Sequence, residues 1–103
     1  MSLTVGEQRR TSAELHANNL LSGLSRHDVQ ADLGFTAGQL EATLDVASGC
    51  DPADVWLLRD HLQQVITAAG RTPVPYSVLT DTARAAAAGW FTLRPAPIAH
   101  HQR

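Results

Sequence analysis

HDVQADLGFTAGQLEATL, residues 27–44, is the stretch that decides the fold of this chain. Val29 and Leu33 are one helical turn apart and share a face. Gly34 then breaks the pattern at a place where the backbone needs a conformation that other residues adopt only at a cost. Phe35 follows. Thr36-Ala37-Gly38-Gln39 next has the form of a capping box, with a hydroxyl and a side-chain amide each satisfying a free backbone N–H. The helix it opens carries Leu40 and Leu44 on one face. Upstream, Ser25-Arg26-His27-Asp28 is a second start of the same kind, with Asp28 in the place of the usual Glu or Gln. Two short helices joined by a tight turn, locked by Val29, Leu33, Phe35, Leu40 and Leu44, make a helix-turn-helix over residues 25–47. Gly38 lowers helix propensity by about 1 kcal/mol against Ala, so contacts outside the second helix must hold it.

Outward from this unit the chain reads as more helices. Thr4-Val5-Gly6-Glu7 is a capping box that opens a helix running to about Leu21, with Gly23 as its stop. Ala13, Ala17, Leu20 and Leu24 give its expected inward face. On the other side, Asp51-Pro52 is the clearest helix start in the chain, a capping carboxylate before a proline at the first helical position. Asp54 complements the helix dipole there. Val55, Leu58, Leu62, Val65, Ile66 and Ala69 form one long apolar face, which places this helix at the centre of the core, and Gly70 closes it. His61 falls on its polar side and is expected in solvent. Arg71–Pro75 reads as a connection, Tyr76–Leu79 as a short helical turn, and Asp81–Ala88 as an Ala-rich helix ending at Gly89. Trp90-Phe91 and an extended tail with Pro95 and Pro97 follow. The expected fold is all-α: four to five helices in a single domain over 1–103, with a C-terminal tail at 92–103.

Bulk composition agrees. With 103 residues there is room for one core, and 44% hydrophobic against 17% charged residues describes a folded globule rather than a disordered chain. The longest nearly apolar run, Ala85–Phe91, is far short of the roughly 20 residues a membrane-spanning helix needs. The first residues lack the apolar run of a secretory signal, so the expected compartment is the cytoplasm. A single cysteine, Cys50, excludes an internal disulfide framework. All eight cations are arginine, against ten acids, for a net charge of −2.

The stretch at 27–44 resembles the lambda-repressor-like helix-turn-helix superfamily. Together with LSGL at 21–24, CDPADVWLLRDHLQQVI at 50–66 and VPYSVLT at 74–80, the chain is similar to a bacterial domain-of-unknown-function family of short proteins. The family resemblance implies only a fold and no tested activity; the helix-turn-helix itself carries the leading expectation, a transcription-regulator-like, dimeric DNA-binding protein. Two positions depart from the superfamily pattern. Gln30 stands where Ala is usual, four before the turn glycine, and Thr43 stands where an apolar residue is usual, nine after it.

On this reading the helix at Thr36–Val46 would enter the major groove of double-stranded DNA. Gln39 would pair with adenine, Thr43 would touch a base or a phosphate, and Arg26 and Thr36 would complete the contacts. The exposed face is expected to carry Ala37, Gly38, Gln39, Glu41, Ala42, Thr43 and Asp45. Charge opposes this role. Over residues 25–47 one cation, Arg26, faces Asp28, Asp32, Glu41 and Asp45, a formal −3, whereas phosphate neutralisation supplies most non-specific affinity for DNA. The alternative is a protein–protein interaction module that keeps the fold without the groove-reading chemistry. An acidic reading helix favours the alternative; an arginine cluster beside it, drawn from Arg9, Arg10 or Arg59, would favour DNA. Trp90, Phe91 and Leu93 are the expected self-association segment of a homodimer.

Catalysis and metal binding find no support in the pattern. His16, His27, His61, His100 and His101 lack metal-ligand spacing with Cys50 or with one another. No nucleophile motif and no Gly-rich phosphate loop is present. Cys50 beside a helix start is placed for a lowered pKa, but reads first as an inert loop residue. No enzyme activity, cofactor, metal or small-molecule substrate is expected.

Overall fold

In the computed structural model, which describes residues 4–80 and residue 83, four helices follow one another: α1 (Val5–Ser22), α2 (Arg26–Leu33), α3 (Ala37–Leu44) and α4 (Pro52–Ala68). There is no strand among the described residues. Every helix starts where the sequence places a cap. Thr4 and Glu7, Ser25 and Asp28, and Thr36 and Gln39 form three complete capping boxes, and Asp51 accepts from the Ala53 N–H at 2.9 Å ahead of Pro52. Each box satisfies two N–H groups that a helix N-terminus leaves without an intrahelical partner.

The long helix α4 is the centre of the core. Val55, Trp56, Leu57, Leu58, Leu62, Val65 and Ile66 are all buried, so it is covered on nearly every side rather than along one stripe. It packs on α1 and α3, while α2 packs on α3. Leu24, Val29, Phe35, Leu40 and Leu44 join the same cluster, with Leu33 partly buried against it. Ala69, expected on the inner face of α4, lies exposed because the helix ends one residue earlier.

Two expectations fail, and they fail together. The first is the face of α1. Ala13 is exposed and Leu20 is 81% exposed, while the helix buries Thr11, Leu15, Asn18 and Asn19. The second is the helical turn at Tyr76–Leu79, which is instead a bend in an irregular segment. One physical cause explains both. Residues 71–79 lack a helix or strand ladder, and their backbone groups are taken up by side chains. The Asn18 amide donates to the Val74 carbonyl at 3.0 Å and accepts from the Val74 N–H at 2.6 Å. The Glu14 carboxylate accepts from the Ser77 N–H and, at 2.9 Å, from its hydroxyl. Arg59 Nε donates to the Leu79 carbonyl at 3.0 Å, and Arg71 reaches the Leu21 carbonyl at 2.9 Å. Of the polar residues that α1 turns inward, Asn18 supplies what this segment lacks, and Glu14 at the edge of that face adds to it.

The Ala-rich stretch 81–88, apart from Ala83, and the tail at 92–103 lie outside the described residues, as do Trp90, Phe91 and Leu93.

Candidate nucleic-acid interface

The unit formed by α2 and α3 is built from the ends of its helices inward. Gly34 has φ 71°, a left-handed conformation that suits glycine, and its N–H and that of Phe35 both donate to the Gln30 carbonyl, at 2.8 and 3.0 Å. The turn residues 34–36 then lead directly into the Thr36 cap of α3. Phe35 is buried between the two helices and the rest of the core.

The four residues expected to touch DNA meet different fates. Thr36 is exposed, and its hydroxyl accepts from the Gln39 N–H at 3.1 Å. Gln39 is half-buried and spent on both sides of its amide. Its Oε1 accepts from the Thr36 N–H at 3.3 Å, and its Nε2 donates to Asp54 Oδ2 at 2.9 Å. This bond fastens α3 to the first turn of α4, and with Leu40 and Leu44 it answers the weak propensity at Gly38. Thr43, expected on the exposed face, is 1% exposed, and its hydroxyl donates to the Gln39 carbonyl at 2.7 Å. That inward position suits the place where an apolar residue is usual, and the hydroxyl is tolerated because its own helix supplies an acceptor. Arg26 Nε is paired with Glu41 Oε2 at 2.9 Å across the α2–α3 surface. With both partners well exposed, this pair is worth at most about 1 kcal/mol and can be exchanged for another anion.

The carboxylates of this unit each have a local role. Asp28 closes the Ser25 capping box. Glu41 takes Arg26, and Asp45 accepts from His16 at 2.8 Å, tying the end of α3 to α1 alongside the Ser12 hydroxyl bond to the Leu44 carbonyl. Asp32 is the exceptional one. Its carboxylate, 4% exposed, accepts at 2.9 Å from Nε2 of His61, which is fully buried on α4. The solvent position expected for His61 is therefore corrected: α4 is covered on that side by α2, and the imidazole is buried with an acid. Sequence periodicity missed this pair because His61 falls on the less apolar side of its own helix, and the partner that makes its burial tolerable is 29 residues away.

No arginine cluster flanks α3 among the described residues. Arg59 is buried on α4, its guanidinium 5.7 Å from the centre of the Trp56 ring and 5.2 Å from that of Tyr76, and it is paired with Asp60. Arg9 and Arg10 are exposed on α1, and Arg9 lies toward the C-terminal end of α3 rather than its N-terminal end. There α1 and residues 45–48 enclose an open groove of about 480 Å³ lined by Val5, Arg9, Ala13, Asp45, Val46 and Ala47 among others.

Val46, in that groove wall, has φ 48°. Its N–H donates to the Thr43 carbonyl at 3.1 Å, and the Ala47 N–H donates to that of Ala42 at 2.9 Å, the two bonds of a Schellman ending. The same pair of bonds ends α4, where the left-handed residue is Gly70. A left-handed valine costs roughly 1–2 kcal/mol. Burial of its side chain, worth about 1.5–3 kcal/mol, offsets that strain.

Cys50 is half-buried in the loop before α4. Burial pushes its thiol up, and the Asp54 and Asp51 carboxylates add to the shift, so the lowering expected from a helix start does not occur. Among the described residues no group of three His, Cys, Asp or Glu side chains is placed to hold a metal ion, and no helix is long and apolar enough to cross a membrane.

The architecture defines a small all-helical domain organised on one central helix. Residues 1–92 match a family described as an uncharacterized protein conserved in bacteria (DUF2316), and the chain belongs to that family. No curated protein and no solved structure matches it.

Proposed function

We propose that the α2–turn–α3 unit is a helix-turn-helix of lambda-repressor type used as a scaffold, in a protein–protein interaction module rather than a reader of DNA. The observation that carries this is the commitment of the expected reading side chains to the fold. Gln39 is bonded to Asp54 and Thr36, and Thr43 is buried on its own helix. For Gln39 to pair with adenine, the Asp54 carboxylate, itself buried, would lose a hydrogen bond it makes within the fold. What remains exposed on α3 is Ala37, Gly38, Glu41 and Asp45, a surface with two carboxylates and no cation. Folds of this kind host unrelated functions, and the site decides between them.

DNA binding is the second reading, favoured by the exposed N-terminal end of α3 at Thr36, Ala37 and Gly38, where small side chains let a phosphate approach the helix. Fluorescence anisotropy of labelled mixed-sequence duplex DNA, titrated with the full chain from low to physiological salt, separates the two. The expected outcome is no binding even at low salt. Affinity that falls steeply with salt, and weakens in Arg26→Ala, would replace the scaffold reading with the DNA one.

A further inference from the structure

We propose that the outer face of α1 is a two-fold interface through which two copies of this chain associate. Val5 and Leu20 are the exposed large hydrophobic side chains of the described residues, at 63% and 81%. Both are on α1, fifteen residues apart, which is about 22 Å along a helix. At 100° per residue they share one face with Arg9, Ala13 and Ala17, opposite the buried Thr11, Leu15 and Asn18. The acids of α1 are engaged elsewhere, Glu7 in its capping box and Glu14 on Ser77. The face is therefore apolar at both ends, carries Arg9 and His16 among small alanines between them, and has no carboxylate of its own.

That pattern is self-complementary. A second α1 laid antiparallel and centred near Ala13 brings Leu20 of each copy against Val5 of the other. Val5 is also a wall of the 480 Å³ groove that Ala13, Val46 and Ala47 help to line. Each leucine thus has a hole to enter, and the alanines at the centre let the helices approach closely. The charges complement as well. In this register Arg9 of one copy comes opposite residues 16 and 17 of the other, beside the His16–Asp45 pair, where the Asp45 side chain is 60% exposed. Such an arrangement is isologous, as closed dimers require. One helix face is smaller than the roughly 800 Å² per partner of a standard interface, so the association is weak, micromolar or looser.

Sedimentation of the full chain from micromolar to millimolar concentration tests it, with Leu20→Glu and Ala13→Glu beside the wild type. The wild-type mass is expected to rise toward that of a dimer. Both substitutions should weaken association about tenfold or more while leaving helix content and melting unchanged, since both sites are exposed. A wild-type chain that stays monomeric at millimolar concentration overturns the proposal. So does a dimer indifferent to both substitutions, which would place the contact on another surface.

Discussion

The α2–α3 layer and the segment from Arg71 to Leu79 both lie against the core helix, and they are held by different chemistry. The layer is regular structure with an apolar inner face, fixed at two points by polar bonds to α4, Asp32 to His61 and Gln39 to Asp54. The segment is irregular, and the bonds its backbone makes with Asn18, Glu14 and Arg59 stand in for the helix it does not form, while the Arg71 side chain ties it to the Leu21 carbonyl of α1. In the first region hydrophobic burial does most of the holding and the polar bonds choose the orientation. In the second the polar bonds are what keeps the chain in place, and Tyr76 and Leu79 are buried as a consequence.

The comparison predicts where each region breaks. The largest effect is expected at the buried Asp32–His61 hydrogen bond. Asp32→Ala removes the acceptor facing a fully buried imidazole N–H, and stranding that donor with the loss of a hydrogen bond to a carboxylate costs about 3 kcal/mol. Urea denaturation should show that loss with the slope nearly unchanged. Replacing both partners by apolar residues, as in Asp32→Leu with His61→Leu, should recover a large part of it. If Asp32→Ala costs under 1 kcal/mol, the pair does not orient α2 on α4.

Asn18→Ala should come next, at about 2–3 kcal/mol, because it leaves both the N–H and the carbonyl of Val74 without the partner each now has. The loss should be local as well as global. Amide exchange at Val74 and Ser77 should accelerate more than exchange at Leu40 or Leu58. Equal acceleration throughout would mean that the segment is not a separately held region, and the contrast with α2–α3 would collapse.

These two regions also mark the limit of what one sequence reveals. Val29, Phe35, Leu40 and Leu44, the three capping boxes and the Asp51-Pro52 start were legible because each signal is local: a helical period or a side chain reaching three residues along. Asn18 was not legible, since an amide pays its desolvation only through a partner 56 residues away, and nothing near it in the chain announces that partner. The same blindness turned α1 the wrong way. Hydropathy favoured Ala13, Ala17 and Leu20 as the inner face, while three of the four residues α1 buries, Thr11, Asn18 and Asn19, are polar. In the candidate site, Thr36 and Gln39 were recognised as capping residues, but the second bond of Gln39, to Asp54, depends on how α3 meets α4 and has no signature of its own.

The smallest effect expected is a response to alkali, and it belongs mainly to the irregular segment. Burial pushes the Tyr76 phenol up from 10.0 to about 12, with Asn18 and the Arg59 guanidinium pulling the other way. The neutral phenol is thus favoured in the folded chain. Below pH 10 both states hold the proton and stability is unaffected. Between 10 and 12 the unfolded chain releases it first, so stability falls as pH rises, by about 2 kcal/mol at the upper end. Cys50, raised by burial and by Asp54 and Asp51, adds a contribution of the same sign. Because Tyr76 is the single tyrosine, phenolate absorbance reports it without interference from another. The expected result is a titration midpoint well above 10 in the folded chain and a melting temperature that declines over the same range. Tyr76→Phe should flatten most of that decline and leave the part due to Cys50. Asn18→Ala takes away a group that lowers the phenol, so a midpoint that moves toward 10 in this variant reports the segment opening to solvent, which links the chemistry of the phenol to the bond that holds Val74. A normal midpoint in the wild type would mean that the segment already opens in the native state, and that α2–α3 and α4 fold without it.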